Sequence, residues 1–116
     1  MQFTESLKKN FQFRHVYQKG KSIANRHLVL YMVKNGTHDH NRLGISVSKK
    51  VGNAVQRNRS RRVIREAFRA LAPRVRPGFD LVLVARGKTP YVKSTDVRRQ
   101  LERQLQAAGL LREETP

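Results

Sequence analysis

The chain has 116 residues, of which 25 are Lys or Arg and 8 are Asp or Glu, giving a net charge of +17. With no cysteine there is no disulfide, no thiolate nucleophile and no Cys-ligated zinc, and no apolar run approaches the roughly 20 residues of a membrane span. Residues 1–116 make one domain with a modest core, since 38% of them are hydrophobic, and a charge this large opposes compaction until a polyanion neutralises it.

The opening segment, MQFTESLKKNFQF, lacks the apolar core of a signal peptide, so the expected location is cytoplasmic. Asn10 is placed to cap a short helix over Phe11 to Lys19, which Gly20 ends. Phe13, Val16 and Tyr17 then share one face. Val16 belongs to the core. Phe13 and Tyr17, flanked by Arg14, Lys19 and Lys21, form a stacking surface for bases beside cations for a phosphate backbone.

His27 to Val33 is β-prone and bounded by Asn35-Gly36. Leu28, Leu30 and Met32 fall on one face of this strand, and Val29, Tyr31 and Val33 on the other. Thr37 to Asn41 is polar and reads as a connection. Its His38, Asp39 and His40 have no further metal ligand nearby in sequence, so no metal site is expected there. His15 and His27 have no acid or nucleophile partner and are read as ordinary residues.

Arg42 to Lys49 alternates: Leu43, Ile45 and Val47 point to the core, while Gly44, Ser46 and Ser48 form a small, polar face. Small groups let a ligand backbone approach, and hydroxyls can bond phosphate or ribose.

The most informative stretch runs from Lys49 to Leu71. Arg57, Arg59, Arg61, Arg62, Arg65 and Arg69 lie on it, with Arg74 just beyond, and only Glu66 opposes them. Ile64, Ala67, Phe68 and Leu71 recur at i, i+3, i+4 and i+7, an amphipathic helix for which Asn53 is the expected cap and Pro73 the stop. Arg57, Arg61 and Arg65 form a row bordering the apolar face, while Arg59 and Arg62 sit further round. Like charges at i, i+4 repel, so helix stability does not account for them. The planar fork of Arg suits phosphate, and the reading is a nucleic-acid-binding helix with an inner and an outer basic row.

Arg74 to Gly78 is a Pro/Gly loop, and Phe79 to Ala85 is a nearly continuous apolar run, hence a strand covered on both faces. Strand, basic helix and second strand make a βαβ unit with a parallel pair. Ser94 or Thr95 caps a last helix whose core stripe is Val97, Leu101, Leu105 and Ala108, with Gly109 ending it and Arg98, Arg99 and Arg103 outward. Arg112 to Pro116 is expected to fray. There is no HExxH, no Gly-rich phosphate loop, no supported Ser-His-Asp set and no clustered carboxylates of the kind a two-metal nuclease needs. No catalytic residue and no metal ligand is assigned.

The segment SVSKKVGNAVQRNRSRRVIREAFR, centred on Arg57-Asn58-Arg59, resembles the signature of the bacterial ribonuclease P protein subunit. Phe13-x-x-x-Tyr17, Gly20, the run ANRHLVLY and the terminal strand and helix fall where that family has them, with Tyr17 where Phe is common. The resemblance implies an α/β (α+β) two-layer sandwich of order αβββαβα, like ribosomal protein S5 domain 2. Its four-stranded sheet would have a βαβ crossover that is left-handed, against the general right-handed rule. It implies the non-catalytic protein subunit of an RNA-based endoribonuclease that removes the 5′ leader of precursor tRNA, with Mg²⁺ required by the holoenzyme RNA and no cofactor bound by the protein alone. The partners would be ribonuclease P RNA and precursor tRNA, with no membrane and no protein partner required. On this reading the leader meets Phe13, Tyr17, Lys19, Val29, Tyr31, Ser46, Ser48, Arg61 and Arg65. The catalytic RNA meets Lys49, Lys50, Arg57, Asn58, Arg59 and Arg62, although Arg57 lies between the groups. Two other readings are a ribosomal or other structured-RNA binding protein with no role in cleavage, and a self-sufficient nuclease, which the scattered acids oppose.

Overall fold

The computed structural model describes residues 3–87, 89 and 92–112. A mixed sheet of five strands organises them: β1 (Phe3–Ser6), β2 (Lys21–Ala24), β3 (Leu28–Lys34), β4 (His40–Ser46) and β5 (Phe79–Ala85), in the order β1-β4-β5-β3-β2. Three helices accompany it: α1 (Asn10–Lys19), α2 (Ala54–Leu71) and α3 (Ser94–Ala107). The α+β class and the expected order hold, with one strand more than expected. β1 precedes α1 and pairs in parallel with β4, from Phe3 opposite His40 to Ser6 opposite Leu43.

Alternation along the strands divides the core in two. Leu28, Leu30, Leu81 and Leu83 point to one face and are fully buried under Ile64, Phe68 and Leu71 of α2 and Val97, Leu101 and Leu105 of α3. Val82 points to the other face, where it meets Leu7, Val16 and Phe13, with Tyr31 and Val33 alongside. The sandwich of sheet and two helices therefore carries α1 on its second face. Burial at about 25 cal/mol per Å² of apolar surface is what holds all three helices to the sheet.

Asp80 is the polar exception in β5. It is 2% exposed and accepts from Arg42 Nε at 2.8 Å, from the Arg42 Nη2 through its other oxygen, and from Asn35 Nδ2 at 3.2 Å. Arg42 and Asp80 are register partners in the parallel β4–β5 pair, so a buried carboxylate finds its cation one strand away. The same bond raises the Arg42 pKa above its ordinary value.

Helix ends depart from expectation in detail. Asn53 caps α2 as expected: its Oδ1 accepts from Gln56 N at 2.9 Å, and Gln56 Oε1 accepts from Asn53 N at 2.9 Å. After Leu71 the chain tightens into a 3₁₀ turn at Ala72–Arg74 that contains Pro73. Asn10 is the first residue of α1 rather than its cap; Gln12 Oε1 takes the Lys8 and Lys9 amides at 2.9 and 3.0 Å instead. Neither Ser94 nor Thr95 caps α3, which follows Lys93 with no side-chain cap. Gly109, at φ +74, closes α3 in the left-handed region, with Leu110 N bonded to Leu105 O at 2.9 Å. Arg112 does not fray: its amide donates to Arg74 O at 2.7 Å, beside the Val75–Leu111 bridge. The remaining residues of that expectation, 113–116, lie outside the described set.

Candidate nucleic-acid interface

Helix α1 lies across β3 and β5 and brings its apolar side to the end of β4. Gly44 makes this approach possible, because a Cβ there would sit 2.5 Å from Cε1 of Phe13. Tyr17 stands edge-on to Tyr31, ring centroids 4.9 Å apart and planes at 80°, a favourable aromatic geometry. Tyr31 thus holds Tyr17 from behind while Tyr17 stays 39% exposed. Across from α1, α2 contributes Arg61. Phe13, Arg14, Tyr17, Ser46 and Arg61, together with Asn10, Ile45 and Val47, enclose an open concavity of about 530 Å³. Two aromatic rings, a hydroxyl and two guanidinium groups are what a single strand of nucleic acid requires.

The structure brings together four of the nine residues expected to meet the leader: Phe13, Tyr17, Ser46 and Arg61. Tyr31 supports the site from behind. Lys19 and Ser48 are exposed but are not among the residues lining the concavity, and Val29 lies on β3, two strands from β4. Arg65 is exposed and also lies outside it, one helical turn beyond Arg61. Asn10, Ile45 and Val47 are additions. Asn10 was read only as a cap and the two apolar residues only as core, and nothing in their types marks them as groove lining.

A second concavity, of about 420 Å³, opens on the other flank of α2. Arg59, Arg62 and Glu66 face Lys93, Ser94 and Thr95 at the start of α3. Ser60, between these arginines in sequence, is fully buried and faces neither. Lys49 and Lys50 are exposed in a 3₁₀ turn, Lys49–Val51, ahead of α2. Asn58 is exposed, and its Oδ1 accepts from Arg61 Nη1 at 3.3 Å. Arg57 is half-buried and donates from Nη1 to Gly52 O at 2.8 Å, so it ties the entry turn to the helix. The ion pairs seen among the described residues use Asp39, Asp80 and Glu102, none with an α2 arginine. Among the described residues no group of three His, Cys, Asp or Glu is placed to hold a metal ion. His27 is buried and hydrogen-bonds Gln100 at 2.9 Å, a partner 73 residues away.

A family profile described as Ribonuclease P matches residues 1–109. The chain belongs to the ribonuclease P protein family. The ribonuclease P protein component of Clostridioides difficile is 46% identical over 100 residues, covering 85% of this chain and 87% of its own. That of Clostridium botulinum strain Loch Maree is 47% identical over 105 residues, 90% of this chain and 94% of its own. The solved structure of the Staphylococcus aureus protein superposes with a TM-score of 0.81 at 40% identity, covering 92% of this chain and 97% of that one. The Thermotoga maritima protein gives 0.79 at 36% identity, covering 89% and 96%. Ribonuclease P matures the 5′ end of tRNA, and this chain is its protein subunit, part of an RNA-based endoribonuclease and not itself the catalyst. Family membership removes the self-sufficient nuclease and the structured-RNA binding protein with no role in cleavage as readings. Ribonuclease P RNA is the partner that membership implies.

Proposed function

We propose that the α1–β4–α2 groove holds the single-stranded 5′ leader of precursor tRNA while the opposite flank of α2 docks on ribonuclease P RNA. The observation that carries this reading is that Arg61 and the pair Arg59 and Arg62 open into two separate concavities on one helix. Phe13 and Tyr17 offer faces for stacking, Ser46 a hydroxyl for phosphate or ribose, and Arg61 and Arg14 the cations. Arg65 supplies a further phosphate contact where the leader leaves the groove, and Lys19 and Ser48 extend it at the rim. Lys49, Lys50, Asn58, Arg59 and Arg62 meet the catalytic RNA, with Arg57 holding the turn that presents them.

The subunit works by binding. Holding the leader lengthens substrate residence, and by linkage it favours Mg²⁺ binding at the RNA's own active centre, since each binding event that strengthens the other is strengthened in return. No protein carboxylate is assigned to that metal. No helix among the described residues is long and apolar enough to cross a membrane.

Incubating precursor tRNA with the protein alone, with its RNA alone and with both tests the division of labour. Protein rigorously freed of RNA is expected to leave the leader intact, and to accelerate cleavage by the RNA at low Mg²⁺. Cleavage by the RNA-free protein would contradict it.

A further inference from the structure

A second polar site lies at the far side of the sheet, where α3 packs against the β2–β3 turn. Asn25 begins the turn. Its Oδ1 accepts from His27 N at 2.9 Å and Leu28 N at 2.8 Å, which fixes the amide orientation and leaves Nδ2 buried with no partner. Gln104, 3% exposed, donates from Nε2 to Ile23 O at 2.8 Å and Leu28 O at 3.2 Å, which leaves its Oε1 buried with no partner. Both residues line one concavity of about 410 Å³, walled on its outer side by Arg26 and Arg103. A second concavity, of about 670 Å³, adjoins it through Gln100 and Arg103 and contains Arg99, Lys93 and a single acid, Asp96. Arg26, Arg99 and Arg103 have no ion-pair partner among the described residues.

An unpaired buried donor and an unpaired buried acceptor are costly, and a solvated helix face gives no reason to keep both in one place. A donor and an acceptor on the lining of one concavity are the complement of the acceptor and donor of a base edge, while the arginines suit the attached phosphate. We propose that this face holds one unpaired nucleotide of structured RNA, its base edge against Asn25 and Gln104 and its phosphate on Arg99 and Arg103. The site is distinct from the leader groove. β2 is the edge strand three places from β4, and α3 lies on the sheet face opposite α1. A nucleotide here and one in the groove are therefore different residues of RNA. The Arg86 Nη1 bond to Asn25 O, at 2.9 Å, holds the turn in place for this contact.

The absence of cysteine makes the test direct. Ala107→Cys, at an exposed position on the rim, carries a unique photocrosslinker in holoenzyme assembled with ribonuclease P RNA, with and without precursor tRNA. The expected result is a crosslink to one or a few adjacent nucleotides. Crosslinks present without precursor tRNA assign the nucleotide to ribonuclease P RNA; crosslinks on the precursor assign it to the substrate. Asn25→Asp keeps the acceptor that builds the turn but removes the donor, and should cut the crosslink about tenfold, the scale of one good base contact. It should do so with an unchanged melting temperature. Arg99→Ala with Arg103→Ala should make the salt dependence of RNA binding shallower by roughly 1.4 in log–log slope, two phosphates' worth. Diffuse crosslinks or none, or an unchanged slope, overturn the proposal. Leader binding, read separately with Arg61→Ala, is unaffected by either result.

Discussion

At Gly44 the groove has no room for a methyl group, because the added carbon would meet Cε1 and Cζ of Phe13 at 2.5 and 2.6 Å. Gly44→Ala must displace the ring that floors the site. It is expected to cost about 1–3 kcal/mol, as overpacked cores do, and to weaken leader binding. The smaller ring-free side chain of Phe13→Leu should restore part of the stability in the double mutant, though not the stacking. Thermal denaturation and leader affinity measured on the two singles and the double check both statements. His27 is the other residue with a specific consequence. Burial, then the charge of Arg26, lowers its pKa below 6.5, with Asp96 opposing. The fold therefore favours the neutral ring, and the unfolded chain binds the proton more readily. His27's contribution to stability is complete above pH 6.5 and is lost as pH falls from there toward the lowered folded value. Melting temperature should drop as pH falls below about 6.5, and His27→Gln should flatten that part of the curve.

Among the elements, α2 carries the function and its start is fixed by one reciprocal cap. Asn53→Ala removes the bond to Gln56 N and should cost about 1 kcal/mol. The loss falls on the first turns, where Arg57, Asn58 and Arg59 stand, so assembly with ribonuclease P RNA should weaken more than leader binding. Circular dichroism and a binding titration separate the two effects. This helix is legible in sequence because its periodic apolar residues, its cap and Pro73 agree over 18 residues. β1 and β2 are not legible from local pattern, each having four residues and no clear alternation, and β2 is expected only through the family resemblance. They exist because β4 and β3 offer them an edge, a long-range pairing that local pattern does not encode. The caps of α1 and α3 fail for a related reason. Asn10, Ser94 and Thr95 are suitable residue types one or two positions late, since a helix starts where packing lets it.

At the scale of the molecule, the sheet has two buried faces and the arginines divide around them. Sequence predicts which way Arg61 and Arg59 point, because a helical wheel gives direction. It does not give position along the axis relative to β4. Hence Arg65, about 6 Å further along α2, shares the direction of Arg61 without reaching the concavity, and Val29 shares a face with Tyr31 at the wrong distance. The aromatic pair, the small β4 face and Arg61 converge because strand alternation and helix periodicity each place side chains on a known side, and only the fold joins those sides. The net charge of +17 makes every RNA contact sensitive to salt.

The claim that one helix serves two RNAs is tested most directly by two double variants in assembled holoenzyme. Arg61→Ala with Arg65→Ala should weaken binding of precursor tRNA, by on the order of 1 kcal/mol per lost contact and less where solvent screens it. Affinity for mature tRNA, which has no leader, should stay the same. Arg59→Ala with Arg62→Ala should instead weaken assembly with ribonuclease P RNA, and should affect the two tRNAs alike once excess protein restores the complex. If both variants lose the same ligand to the same degree, α2 has a single basic surface and the account is wrong.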